Sequence, residues 1–148
     1  MDDQTIHEVR QWLIKADHDL RSAERLMSGN DPLLDTAVYH CQQAAEKALK
    51  AFLTSHEVIF SKTHLLVTLV AQCTDIDPDF INLSDAAEML TPLATEFRYP
   101  GDVMEPEMFD AQEAFRMASD VLKFVSARIS IPHAEARSYA EKGTNKEF

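Results

Sequence analysis

Apolar residues recur at steps of three and four positions through most of this 148-residue chain, and no stretch alternates between apolar and polar residues. A step of three to four is the period of one face of an α-helix, whereas a half-buried strand has a period of two. We therefore predict an all-α protein, an antiparallel up-and-down bundle of four to five helices joined by short connections. The length predicts one domain. We place the bundle at residues 1–130 and a charged C-terminal tail at residues 131–148.

Local signals predict where the first two helices begin. Thr5 followed by Glu8 has the spacing of a capping box, which predicts a long amphipathic helix that ends near residue 29. Asp31 followed by Pro32 is typical of an N-cap and a first-turn proline, and predicts a second helix that ends near residue 54. Because the second helix is rich in alanine, a neighbouring helix can approach it closely. We expect it to lie at the centre of the packing.

Three further segments follow the second helix. Thr63 is the candidate N-cap of a short third helix, and residues 74–80 have the composition of an acidic loop. A helix is predicted from about residue 82 to 97, with a break at Thr91 because a proline follows it. Pro106 is predicted to open the last helix.

The charge of the chain limits its partners. The whole sequence carries 14 basic and 25 acidic side chains, a net charge of −11. Such a surface is a poor match for a nucleic acid or an anionic membrane over its full extent. The first half, residues 1–74, has a net charge of −3 and the second half −8, so we expect any anion site to draw mostly on the first half.

Composition also bears on the compartment. Cys41 and Cys73 lie in apolar stretches, with no CxxC pattern and no cluster of histidines and cysteines nearby. We predict two buried free thiols, which fits a reducing environment. The chain opens with an acidic segment and has no apolar run long enough to cross a bilayer. These features predict a soluble, cytoplasmic protein that does not bind a membrane.

The sequence lacks the motifs of several kinds of functional site. With three glycines the chain has no glycine-rich phosphate loop. His7 and His18 share a helix face, but HExxH, ExxH and Cys/His spacings are lacking, and no Ser or Cys lies in a strained elbow. The sequence therefore predicts no metal site, no cofactor and no nucleophilic catalysis.

Four segments occur in an order that resembles the prokaryotic HEPN-domain family: WLIKADHDL from Trp12, YHCQQAAEKALKAFL from Tyr39, KTHL from Lys62 and RYPG from Arg98. The likeness covers roughly residues 8–127. It implies a bundle of four or five helices that is frequently a homodimer. It also implies a gene often found beside a minimal nucleotidyltransferase, in a toxin–antitoxin-type pair. The activity implied is either nucleotide or RNA binding, or metal-independent RNA cleavage.

The cleaving members carry an arginine followed four to six residues later by a histidine. Arg98 leads into YPGDVMEPE, which contains no histidine. Arg128 and His133 have the right letters, but Pro132 lies between them and disrupts the helical geometry that would place both on one face. We interpret that pair as a coincidence and assign no catalytic residue.

The resemblance directs attention to Arg98 and Tyr99. An arginine before an aromatic residue and a Pro-Gly turn can hold a phosphate with two parallel hydrogen bonds. The alternative is an arginine that complements the C-terminus of its own helix or pairs with an acidic neighbour. Tyr99 can stack on a base, or it can be an ordinary packing residue.

Three further residues complete the predicted ligand site. Lys47 and Lys50 are three positions apart on the second helix and form a small positive patch, unless Glu46 and other carboxylates neutralise them. His64 can donate to an anion or act as an acid or base, and the alternative is a structural histidine that fixes its own loop.

Three functions compete on this basis. The first is a homodimeric binding module for a nucleotide or an RNA phosphate, with Lys47, Lys50, His64, Arg98 and Tyr99 as ligands and a nucleotidyltransferase as its partner. The second is a divergent metal-independent ribonuclease, with Arg98 stabilising charge and His64 transferring a proton. The third is a structural partner whose acidic second half docks a basic protein.

Overall fold

The computed structural model describes residues 1–101 and 104–131 of the chain. Five α-helices and two 3₁₀ helices make up the regular structure of these residues, and no strand occurs among them. The all-α bundle predicted from the helical period is confirmed. The α-helices are α1 (Asp3–Met27), α2 (Leu34–Ser55), α3 (Leu66–Ile76), α4 (Ser84–Leu90) and α5 (Met108–Ser126), and the 3₁₀ helices are Pro78–Leu83 and Thr91–Ala94.

Helix α2 is the centre of the bundle, packed against α1 on one side and α5 on another. It runs antiparallel to α1, because Thr5 near the start of α1 contacts Glu57 just beyond α2, while Asp19 contacts His40. The buried face of α2 is rich in alanine, which lets the neighbouring helices approach closely. Its fully buried alanines are Ala37, Ala44, Ala45, Ala48 and Ala51.

Both cysteines lie in the core as free thiols, as predicted. Burial raises the pKa of the Cys73 thiol to about 12 and also raises the pKa of the Cys41 thiol. A thiol is a nucleophile only as its thiolate. Neither cysteine is therefore a reactive group in the folded protein.

The predicted starts of the first two helices were wrong by two or three residues. The N-cap of α1 is Asp2, whose carboxylate accepts a hydrogen bond from the Thr5 backbone N–H at 2.8 Å. Helix α2 begins after Leu33 and not at the Asp31–Pro32 pair. The Leu33 N–H donates to the Leu26 carbonyl at 2.8 Å, and this bond closes the connection between the helices before α2 can begin.

The later boundaries also depart from their local signals. Thr63 does not cap α3: its hydroxyl accepts from the Leu65 N–H, and the first N–H of α3 donates to Thr91 Oγ1. The segment predicted as loop at 74–80 instead holds the end of α3 and the start of a 3₁₀ helix. Helix α5 is opened by a capping box of Glu107 and Asp110, and Pro106 lies before it.

The predicted break at Thr91 is present, because α4 ends at Leu90 and a 3₁₀ helix with Pro92 in its first turn follows. Of the tail predicted at 131–148, only Ile131 belongs to the described residues, and His133 lies outside them. Ile131 is buried against the core. Among the helices that the structure describes, none is long and apolar enough to cross a membrane.

Candidate functional site

A buried carboxylate joins α1 to α2. Asp19 on α1 is largely buried, and its Oδ2 accepts a hydrogen bond from Lys47 Nζ at 2.6 Å. The other oxygen, Oδ1, lies 2.8 Å from His40 Nδ1. Because a carboxylate removed from water needs charged or hydrogen-bonding partners, Asp19 accounts for the positions of both α2 side chains. The structure thus gives Lys47 a partner that its own helix does not supply.

A second buried carboxylate, that of Glu46, lies on α2 itself and has the same kinds of partner. Glu46 accepts from Lys50 Nζ at 3.1 Å through Oε2, and its Oε1 lies 2.8 Å from His64 Nδ1. Gln42 donates to the backbone carbonyl of His64 at 3.0 Å and so fixes the loop before α3. Each carboxylate therefore holds one lysine and one histidine.

The two arrangements are neighbours because of the helical period. Positions 40, 43, 47 and positions 42, 46, 50 form two adjacent rows on α2. Gln43 links the rows by donating to Gln42 Oε1 at 2.7 Å. The same part of α2 thus buries alanines on one face and carries two adjoining polar rows on the opposite face.

Arg98 lies beside the N-terminal end of these two rows, next to Tyr39 of α2. Its guanidinium lies over the ring of Tyr39, with the central carbon 4.2 Å from the ring centroid. Tyr39 in turn meets the His40 ring edge-on at 5.3 Å. Arg98 does not end a helix as predicted: it lies in a turn four residues beyond the 3₁₀ helix that ends at Ala94, and its N–H donates to the Thr95 carbonyl.

Arg98 differs from the two lysines in its charge environment. Among the described residues, no carboxylate lies within ion-pair distance of its guanidinium, whereas Lys47 and Lys50 each touch a buried carboxylate. Tyr99, its neighbour in the chain, has 72% of its surface exposed and makes no ring contact with the described residues. The structure thus brings four of the five predicted residues onto one surface and leaves the Tyr99 ring in solvent.

We call this surface the cationic strip, defined as Arg98, Lys47, Lys50, His40 and His64 together with the carboxylates of Asp19 and Glu46. With neutral imidazoles its formal charge is +1, in a chain whose net charge is −11. From Tyr39 to Lys50 the strip follows α2 for about 16 Å, at 1.5 Å per residue.

His64 has the geometry of an oriented base. Its Nδ1 faces the buried Glu46 carboxylate, while 70% of its side chain is exposed. Since a carboxylate only accepts hydrogen bonds, it favours the tautomer with the proton on Nδ1. The Nε2 atom is then the acceptor that faces solvent, ready to accept from a ligand hydroxyl.

Three site residues were missed in the sequence, Asp19, His40 and Gln42, and so was the anchoring role of Glu46. A signal for two of them was present. Asp19 adjoins the apolar stripe of α1, and Glu46 interrupts a run of alanines, which are places where an unpaired carboxylate is costly. In the described part of the chain, no group of three or more His, Cys, Asp or Glu side chains is placed to hold a metal ion.

These observations define a small all-α bundle that carries a cationic strip along its central helix. A family model of the HEPN domain matches residues 9–129, and the chain belongs to this family. A similar solved structure is TT1696 from Thermus thermophilus, which is 28% identical, with a TM-score of 0.70. The match covers 82% of this chain and 98% of that one. No curated protein matches the chain.

Proposed function

We propose that the protein is a binding module for a nucleotide or an RNA phosphate, and that the cationic strip is its binding surface. The observation that carries the proposal is the Arg98 guanidinium, which is held over Tyr39 without a carboxylate partner in the described chain. A guanidinium fixed in position can bind a phosphate with two parallel hydrogen bonds. Membership of the HEPN family supports a nucleotide- or RNA-related module.

The remaining strip residues have supporting roles in this proposal. Lys47, Lys50 and His64 face the ligand while buried carboxylates hold them in place, so little side-chain entropy is lost on binding. Tyr99 is exposed and free to stack on a base. We further propose that the module acts in the cytoplasm as a homodimer, beside a nucleotidyltransferase of a toxin–antitoxin-type pair.

Isothermal titration calorimetry with ATP, GTP and a short single-stranded RNA, each with and without magnesium, tests the proposal. We expect micromolar binding by the wild-type protein. Arg98→Ala should weaken binding about tenfold or more, because a charge-assisted hydrogen bond contributes roughly 1.5–3 kcal/mol. The variant should melt at the wild-type temperature, because the side chain is exposed and gives up only a ring contact.

Two control variants sharpen this experiment. Arg98→Lys keeps the charge but loses the planar fork, so we expect an affinity between those of the wild type and Arg98→Ala. Arg116→Ala removes an exposed arginine of α5 that pairs with Glu113 and Asp120, and it should bind as the wild type does. Wild-type affinity in Arg98→Ala would remove Arg98 from the site. No heat at millimolar ligand would move the structural-partner function to first place.

The geometry of His64 favours a divergent ribonuclease as the second candidate. A histidine oriented by a buried carboxylate, with its other nitrogen exposed, is the usual arrangement of a general base. The RNA recovered from the titration separates the two functions on a denaturing gel. Cleavage that disappears in His64→Ala would establish the ribonuclease, and intact RNA would leave the binding module.

A further inference from the structure

A cavity of about 660 Å³ opens where the first turns of α1 meet the segment that follows α2. Trp12 and Phe60 form its aromatic wall, with ring centroids 5.8 Å apart and the rings nearly perpendicular. The polar residues around them are Thr5, His7, Glu8, Gln11, Thr54 and Glu57. An aromatic wall with a few polar groups is the usual make-up of a small-molecule site.

The aromatic wall of the cavity lies beside Lys50 of the cationic strip. Lys50 Nζ lies 5.6 Å from the centroid of the Trp12 ring and 5.4 Å from that of Phe60, while it donates to Glu46 on the strip. One ammonium group therefore lies close to both aromatic rings of the cavity wall and belongs to the strip. A nucleotide whose base enters the cavity would present its phosphate to Lys50.

Glu57 occupies a backbone position that favours glycine. Its φ is +57°, and the N–H groups of Glu57 and Val58 donate to the carbonyls of Thr54 and Leu53 at 2.9 and 3.0 Å. These are the two bonds of a Schellman motif, in which glycine is the usual residue at this point. In the connection after α1, the positive φ is taken by Gly29.

The charge of Glu57 is unfavourable there as well, because a carboxylate at a helix C-terminus faces the negative end of the helix dipole. Its side chain lies on the cavity wall, with Oε1 3.4 Å from Thr5 Oγ1. A residue that is unfavourable in both conformation and charge is a candidate for a functional role. The hydrogen-bonding groups that line the cavity indicate what that role is.

Two of the polar residues that line the cavity only accept hydrogen bonds. Glu8 and Glu57 contribute two carboxylates, and Gln11 contributes an amide that donates and accepts. One oxygen of each carboxylate already accepts a hydrogen bond, that of Glu8 from Gln4 at 3.1 Å and that of Glu57 from Thr5 at 3.4 Å, and the bond to Glu57 is the longer one. A guanine base carries a ring N–H and an amino group side by side, and one carboxylate can accept from both.

We propose that this cavity is the base subsite of the nucleotide-binding surface and that it takes a guanine, with the base edge on Glu57 and the ring against Trp12. The inference rests on the proposed function, since it places the phosphate of the same ligand on the cationic strip. It adds the base that the site selects and the residue that selects it. Adenine offers one amino group and uracil one N–H, so both form fewer bonds with the carboxylate.

The chain contains one tryptophan, so its fluorescence reports ligands that reach the wall of the cavity. We would titrate the 148-residue protein with GMP, AMP, UMP and guanosine and follow this fluorescence beside the calorimetric heat. GMP should quench the fluorescence with a saturable curve and bind roughly tenfold tighter than UMP. Glu57→Gln should remove that preference, and Glu88→Gln, an exposed glutamate of α4, should keep it.

The variant Glu57→Gly separates a loss of the preference for GMP from a loss of folding. Because glycine suits a positive φ, this variant should melt at a higher temperature than the wild type while it loses the preference for GMP. A lower melting temperature together with unchanged preference would overturn the role assigned to Glu57.

The outcomes for the cavity and for the strip are separable. Nucleotide binding that needs Arg98 but neither quenches Trp12 nor depends on the base would overturn the base subsite and leave the proposed function intact. Quenching by guanosine that Arg98→Ala does not alter, with no added affinity for GMP, would keep the base subsite and overturn the phosphate role of the strip. No binding of any of the four compounds would overturn both.

Discussion

At the scale of single residues, the electrostatics of the strip depend on burial. Glu46 exposes 5% of its side chain and Lys50 12%, whereas the Arg116–Glu113 pair on α5 lies in solvent. Two charges in contact inside a protein hold each other strongly, and the loss of one leaves the other uncompensated. Exposed pairs contribute little because water screens them. The buried Glu46–Lys50 pair and the exposed Glu113–Arg116 pair can therefore be compared for their effect on stability.

We predict that Glu46→Gln destabilises the protein by about 3 kcal/mol, the lower end of what breaking a buried ion pair costs. The amide leaves the Lys50 ammonium group without its counter-charge and weakens the hold on His64. Urea unfolding followed by circular dichroism measures the change in the free energy of unfolding.

The matched control is Glu113→Gln, which breaks the exposed pair and should leave the free energy of unfolding nearly unchanged. The double variant Glu46→Gln with Lys50→Met should lose less than the sum of its two single variants, because neither charge then remains alone. Equal losses for the buried and the exposed pair would contradict this account.

The residues of the strip were predictable only in part. Lys47, Lys50, His64 and Arg98 were selected from the sequence, yet the row depends on contacts that cross between elements. Asp19 lies 28 positions before Lys47 in the chain, and this distance is bridged only when α1 packs on α2. A periodic pattern identifies which helix face is buried, but it does not tell which polar groups meet across the interface.

At the scale of elements, the helices themselves followed from the sequence because each buries a stripe of apolar residues. Their ends did not. Helices α2 and α3 follow Leu33 and Leu65, neither of which provides a side-chain cap. The first N–H of α3 instead donates to Thr91 in a distant part of the chain. A hydrogen bond to a distant residue thus replaces the capping signal that Thr63 offered for α3, and at α2 the bond from Leu33 to the end of α1 sets the start instead of Asp31.

The close packing of α2 leads to a prediction for this element. Ala48 is fully buried, so a leucine there has to push α2 away from its neighbours. Overpacking of this kind costs typically 1–3 kcal/mol, and we expect Ala48→Leu to lower the free energy of unfolding by about 2 kcal/mol.

Ala127→Leu at the end of α5 serves as the control, because Ala127 is exposed and the larger side chain meets solvent. It should change the stability by no more than about 0.5 kcal/mol. Thermal and urea unfolding of both variants provide the measurement. A tolerated leucine at position 48 would show that the interface around α2 is looser than the structure indicates.

At the scale of the whole molecule, apolar surface remains outside the core. Val67, Ile81 and Met89 expose 40%, 64% and 64% of their surface. Val67 and Ile81 line a groove of about 360 Å³ between α3 and the segment that runs from the first 3₁₀ helix into α4. This groove shares no lining residue with the cationic strip or with the base cavity, although Gln72 of α3 donates to the Ile59 carbonyl of that cavity. Contiguous apolar surface on a small protein commonly marks a contact with another protein chain.

We predict that a second copy of the chain covers this groove. Light scattering at micromolar concentration should then give twice the monomer mass of 16.7 kDa. Ile81→Lys should shift the population to monomer, since the new charge would have to be buried in the contact. Ile59→Lys, at a residue of the base cavity that is 95% exposed, should leave the dimer intact. A wild-type monomer would refute the dimer, and dissociation by Ile59→Lys alone would move the contact to the base cavity, where a second copy would compete with the nucleotide.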